Sequence, residues 1–251
     1  MPKKRATKLS PSLRHLWIVP TVFCLFVSSY FIPSLYESYL VHYIKNKTVL
    51  VGDKEMRAHG TGFFIQGNSG ITYILTNGHV CGISKDGENI YVQTASMKPL
   101  PRRIIAVSDD SDLCLIEAVP TIDYLKLATG YSKFETVVSL GFPAYYGFVP
   151  SKGEIIEDKV TLLIDFPITN SNERALCNLP KNKIIKIQDQ NFCISLIKSV
   201  QTTITTFGGN SGSPVINVWG NVVGIIFAAN TESNWGLMIS NEEINKFLKD
   251  F

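Results

Sequence analysis

Ser211 stands between glycines in the stretch Thr205-Thr206-Phe207-Gly208-Gly209-Asn210-Ser211-Gly212-Ser213-Pro214-Val215-Ile216-Asn217, just ahead of an apolar run that reads as a strand. Glycine lets backbone approach a bound group closely and adopt turns with positive φ. Those are the needs of a loop that presents a nucleophile and aims amide N–H groups at a developing oxyanion. A plain Gly-rich turn has the same composition, and a serine hydroxyl without a base is a poor nucleophile. His79, at the end of Tyr73-Ile74-Leu75-Thr76-Asn77-Gly78-His79-Val80, supplies one. An imidazole, with an ordinary pKa of about 6.5, can take the Ser211 proton at neutral pH and return it to a leaving amine. His15, His42 and His59 lack such surroundings. The orienting carboxylate must come from Asp109-Asp110-Ser111-Asp112-Leu113-Cys114-Leu115-Ile116. Only Asp112 runs straight into the apolar strand, whereas Asp109 and Asp110 read as a solvated turn.

The elements that must hold these residues read mostly as strands. Gly60-Thr61-Gly62-Phe63-Phe64-Ile65 and the stretch ending at His79 form a hairpin around Gly67-Asn68-Ser69-Gly70, with Val80-Cys81-Gly82 as a turn behind the histidine. Residues 48–51, 89–94, 103–107 and 113–118 supply further strands, the second of these alternating Ile90 and Val92 against polar neighbours. Later strands are expected over 136–143, 153–156, 160–165, 199–205, 221–228 and 235–239. Ser240-Asn241-Glu242-Glu243 then forms a capping box ahead of a helix carrying Ile244, Phe247, Leu248 and Phe251 on one face.

Three reactive segments in the order His, Asp, Ser match the chymotrypsin-type arrangement rather than that of subtilisin or the α/β-hydrolases. With Gly-Thr-Gly-Phe-Phe-Ile, Leu-Thr-Asn-Gly-His-Val, Asp-Leu-Cys-Leu-Ile and Gly-Asn-Ser-Gly-Ser-Pro, the chain resembles the trypsin-like serine peptidases, most of all the HtrA-like (Deg) branch, over residues 47–251. The resemblance implies an all-β, chymotrypsin-like fold of two six-stranded antiparallel barrels, over about 48–130 and 131–251, with a C-terminal helix. It makes His79, Asp112 and Ser211 the catalytic residues, and the N–H groups of Gly209 and Ser211 the oxyanion hole. Asn210 stands where many members carry an acid that buries a new N-terminus, so no zymogen cleavage is expected. Thr205 falls near the base of the primary pocket, where no acid argues for Lys or Arg. Ile226, Phe227 and Ala228 form the edge that pairs with substrate backbone, the bulk of Phe227 suggesting a small or medium apolar residue. The sequence ends directly on the last expected element, leaving no room in these 251 residues for a PDZ domain.

The composition, 45% hydrophobic and 18% charged, is that of a globular chain with an extra apolar segment. The net charge of +3 drops to −2 once Lys3, Lys4, Arg5, Lys8 and Arg14 are set aside, and such a body gives no reason to expect nucleic acid. Behind this basic leader (1–14), the uncharged stretch 15–36 is long enough to span a bilayer, with the leader on the cytoplasmic side. A cleaved signal peptide ending at Val27-Ser28-Ser29 is the alternative; a buried helix suits Pro20 and Pro33 poorly. Either leading reading places the protease domain (48–251) outside the cytoplasm, periplasmic or extracellular, with 37–47 as a connector. The five cysteines lack a metal pattern. Cys177 and Cys193 are candidates for a disulfide, while Cys81 and Cys114 either pair or serve as small core residues. No metal or cofactor is expected. The function expected is that of a membrane-tethered serine endopeptidase acting on polypeptides through an acyl-enzyme. A silent binding module on the same fold and a dedicated single-site processing protease are the rivals.

Overall fold

A computed structural model of the chain describes residues 35–84, 87–94, 97–108, 110–118, 123–143, 147–168, 182–187, 189–230 and 233–251. The proposed membrane segment, Asp109 and Cys177 therefore lie outside the described residues, apart from positions 35 and 36. No helix among the described residues is long and apolar enough to cross a membrane. The expected connector is helical over 35–45 before the chain turns into the first strand, and Ile44 on it is fully buried.

Six strands close the first barrel in the order β1-β2-β3-β6-β5-β4: β1 Thr48–Gly52, β2 His59–Gln66, β3 Thr72–Asn77, β4 Asn89–Gln93, β5 Leu100–Val107 and β6 Leu113–Glu117. All pair antiparallel, and β-branched residues fill the interior: Val49, Val51, Ile74, Ile90, Val92 and Ile116, with Phe64. Burying each such side chain stabilises by about 1.5–3 kcal/mol. Cys81 and Cys114 sit in the same cluster and are joined as a disulfide. Of the two readings open for these cysteines, pairing is the one the fold realises.

The second barrel is built from β7 Thr136–Gly141, β8 Val149–Ile168, β10 Gln190–Thr205, β11 Pro214–Asn217, β12 Val222–Ala229 and β13 Trp235–Ser240. They run in the order β13-β12-β11-β7-β8-β10, and the ring closes where Val200 and Gln201 of β10 pair with Met238 and Leu237 of β13. The structure adds one strand to the expected six. β9, Asn182–Ile187, pairs with the outer end of β10, and the 20-residue β8 and 16-residue β10 run well past the barrel to meet it. Ser240 caps the helix as read: its Oγ accepts the N–H of Glu243 at 3.4 Å and starts the helix Asn241–Phe247, while the Glu243 carboxylate turns to Lys246 Nζ.

One extended segment ties the barrels together. Leu125 bridges to Ile65 of β2, donating its N–H to the Phe64 carbonyl at 2.8 Å, and Leu127 bridges to Val222 of β12. This stitching sets the facing sides of the two barrels, where the ends of β3, β6 and the β10–β11 loop converge.

Candidate active site

His79 is not the last residue of its strand. β3 ends at Asn77, and His79 lies on a single helical turn, Gly78–Cys81, rather than at the expected strand end. The turn is held by Asp112, whose carbonyl accepts from Gly78 N–H at 2.9 Å and from Asn77 Nδ2 at 3.1 Å. The Asp112 side chain grips the same turn twice. Oδ1 accepts the backbone N–H of His79 at 2.8 Å, and Oδ2 lies 2.8 Å from His79 Nδ1. Asp112 has a left-handed backbone (φ 46°), uncommon for a residue with a Cβ, and its four contacts over-determine that conformation. Its side chain is 11% exposed against 48% for that of His79, so the carboxylate sits beneath a ring that faces outward. Gly78 leaves room for this grip, since a Cβ there would press on Oδ1 at 3.1 Å.

The turn preceding Asp112 is ordered by Ser108. Its Oγ accepts the N–H groups of Asp110 and Ser111 at 3.2 and 3.1 Å and meets Ser111 Oγ at 2.8 Å. Asp110 itself is exposed, as a solvated-turn residue should be. The disulfide Cys81–Cys114 joins the residue two after His79 to the residue two after Asp112 and so clamps the two segments together.

Ser211 approaches from the second barrel. Gly212 donates to Ile226 O at 2.8 Å and Ile226 donates to Ser213 O at 2.9 Å, which lays the loop along β12. β12 bulges at Phe227: Ile226 pairs with Met238 and Ala228 with Leu237, leaving Phe227 unmatched. The Phe227 carbonyl accepts from Ser211 Oγ at 3.4 Å. Its ring is buried, so this residue offers the cleft a carbonyl rather than a phenyl wall. Gly209 has φ +95°, and neither its N–H nor that of Ser211 donates to any of the described residues, leaving two amide donors two residues apart. Gly212, at φ +88°, accepts no side chain; a Cβ would fall 1.7 Å from the Thr61 carbonyl. Asn210 is buried beside Gly141, with no hydrogen-bond partner for its Oδ1 among the described residues.

Sequence reasoning passed over Thr61. This fully buried residue of β2 donates its N–H to Ser211 O at 2.7 Å and its hydroxyl to Gly209 O at 2.9 Å. The same hydroxyl accepts from Phe142 N–H at 3.0 Å, and the Thr61 carbonyl accepts from Thr76 Oγ1 at 2.6 Å. One side chain of the first barrel thus fixes the Ser211 loop of the second. A buried polar residue between two glycines was the available signal, since Gly60 admits the Ser211 carbonyl, 2.9 Å from where a Cβ would lie.

The expected specificity residues lie on two strands that both pair with β13, Thr205 on β10 and Ile226, Phe227 and Ala228 on β12. Thr205 is exposed at the end of β10, pairs with Trp235 and accepts from Ser151 Oγ at 3.1 Å through its carbonyl. Ile226 is buried and Ala228 half-buried on β12. Among the described residues no cluster of side chains could hold a metal ion.

A family model described as "Trypsin-like peptidase domain" matches residues 60–225, a span that contains His79, Asp112 and Ser211. The chain belongs to this family. Among individual relatives, a "Serine protease HtrA-like" protein of Staphylococcus aureus is 26% identical over 200 residues, which are 76% of this chain and 23% of that protein. A "Probable periplasmic serine endoprotease DegP-like" of Hahella chejuensis is 27% identical over 178 residues, 69% of this chain and 30% of that one. The chain thus spans under a third of the length of either. Among solved structures, the active form of the Rv3671c protease from M. tuberculosis superposes with a TM-score of 0.63 at 21% identity, covering 85% of this chain and 84% of that one. The serine endoprotease from Yersinia pestis gives 0.59 at 19%, covering 86% and 66%. These structural likenesses bear out the chymotrypsin-like double-barrel fold.

Proposed function

We propose that this trypsin-like peptidase is a serine endopeptidase that cleaves polypeptides through an acyl-enzyme. The observation that carries the reading is the double grip of Asp112 on His79. A carboxylate at Nδ1 holds the imidazole in the tautomer whose Nε2 lone pair faces outward, and it stabilises the imidazolium formed once a proton arrives. In this reading His79 takes the Ser211 hydroxyl proton as Oγ attacks the scissile carbonyl, then passes it to the leaving amine. The oxyanion is received by the Gly209 and Ser211 N–H groups. Water, activated by the same histidine, then releases the acyl group.

Of the expected edge Ile226–Ala228, extended substrate is proposed to pair at Phe227 and Ala228, since Ile226 already bonds Gly212 and Ser213, and to seat its primary side chain near Thr205, a site with no acid to favour Lys or Arg. The apolar stretch 15–36 is proposed to tether the domain to a membrane, outside the cytoplasm. Cys177 and Cys193 stay a proposed pair. Fluorophosphonate labelling tests the central claim: the protein should label on Ser211, and Ser211→Ala should lose labelling and peptide hydrolysis while unfolding at an unchanged temperature. A Ser211→Ala variant that still labels would remove Ser211 from the mechanism.

A further inference from the structure

The β11–β12 turn breaks the usual polarity of a hairpin tip. It carries Val218 and Trp219, and Trp219 is 78% exposed. The turn is not loose. Asn217 Oδ1 accepts the N–H groups of Trp219 and Asn221 at 3.0 and 3.1 Å, and Gly220, at φ +79°, donates to the Asn217 carbonyl. Beside it, across an open groove of about 620 Å³, stands Phe134, 63% exposed. Phe134 has a left-handed backbone (φ 65°) and is pinned there by its own N–H on Ile155 O at 2.7 Å and by Glu135 N–H on Ser132 O at 3.1 Å. The Glu135 carboxylate is turned back onto Ser132 N–H, while Lys133 Nζ lies 5.2 Å from the centre of the Phe134 ring. Two rigid turns thus hold aromatic side chains out into solvent with a lysine beside them. A cluster of exposed apolar side chains marks an interaction surface, and aromatics flanked by cations suit the headgroup level of a bilayer.

The chain's own path says which partner. Tyr43 packs against this same turn, for a Cβ on Gly220 would lie 3.2 Å from its ring. Tyr43 comes only seven positions after Tyr36, the end of the apolar stretch, a tether of at most about 25 Å even when fully extended. If that stretch is embedded, the turn carrying Gly220 and Trp219 is held within such a tether's reach of the lipid.

We propose that Val218, Trp219 and Phe134 form a membrane-contact face, seated at the lipid interface and fixing the orientation of the protease domain on the bilayer. The proposal rests on the reading of 15–36 as a membrane segment. The three tryptophans, Trp17, Trp219 and Trp235, allow both to be tested in the full-length chain. Two single-tryptophan variants are reconstituted in phosphatidylcholine–phosphatidylglycerol vesicles, with and without brominated acyl chains: Trp17→Phe with Trp235→Phe, and Trp219→Phe with Trp235→Phe. Unchanged thermal unfolding establishes that each has folded. Emission from Trp219 should shift to the blue and be lost in brominated vesicles. Quenching of Trp17 with none of Trp219 would overturn the contact face and leave the membrane segment standing. Absence of quenching for both would overturn the membrane segment and the contact face with it. A Trp219 that is blue-shifted yet unquenched would be covered by a second copy of the chain, which equally overturns the proposal.

Discussion

Replacing Asp112 with Asn changes one atom of the proposed active site, and the hydrogen bonds around it dictate the consequence. The carboxylate accepts twice from His79, at the backbone N–H and at Nδ1, both at 2.8 Å. An amide can accept at only one of these places. The backbone N–H has no alternative protonation state, so the amide oxygen must face it and the amide N–H₂ must face Nδ1. The ring then adapts by carrying its proton on Nε2, where the lone pair for the Ser211 proton is needed. Little folding stability is lost, because both hydrogen bonds survive with the roles at Nδ1 exchanged. Catalysis should fall by about 10⁴ in kcat, the loss known when this substitution forces the wrong tautomer in a serine protease, or about 5.4 kcal/mol in the barrier. The assay is hydrolysis of an extended fluorogenic peptide, run beside thermal unfolding. The control is Asp110→Asn, an exposed position that should stay within several-fold of wild type. An Asp112→Asn enzyme within ten-fold of wild type, or an equal loss at Asp110, would refute the argument.

Thr61→Val removes the hydroxyl that joins Gly209 O to Phe142 N–H while keeping the shape. Orphaning two part-buried groups should cost about 2 kcal/mol in denaturant unfolding, and the shifted loop should lower kcat on the order of 10²-fold, with Thr61→Ser restoring both. Replacing Cys81 and Cys114 together with Ala removes a link across a sequence separation of 33 residues; loop entropy puts the loss at about 4 kcal/mol, and reductant should destabilise the wild type by more than this variant, which keeps only Cys177 and Cys193 as a proposed pair. Tyr131 donates to Asp158, and burial together with that carboxylate pushes its phenol well above the ordinary value of 10. The folded state therefore holds this proton where the unfolded chain has released it, so the stabilisation is complete below pH 10 and declines as pH rises further. In Tyr131→Phe that part of the alkaline decline should vanish from stability curves measured above pH 10.

The candidate catalytic residues could be singled out in the sequence because each lies in a short stretch that makes its own local structure. Gly208 to Gly212 must turn, Leu113–Ile116 must be a buried strand that places Asp112 at its mouth, and Ser240 with Glu243 must start a helix. The alternation of Ile90 and Val92 with polar neighbours read as a strand for the same reason, while the barrels themselves were what the resemblance implied. What only the tertiary structure decided are relations between segments far apart in the chain. The choice of Cys81 and Cys114 as partners comes from β3–β6 pairing, in which Thr76 opposes Cys114, and no spacing rule encodes that register. Thr61 reaches Gly209 across 148 positions only because the barrels meet face to face. The left-handed Asp112, the helical turn under His79 and the bulge that turns the Phe227 carbonyl toward Ser211 are each held by such distant partners. Local composition singles out the candidate residues; the closure and docking of the barrels fix how their segments meet, through hydrogen bonds whose two ends share no stretch of sequence.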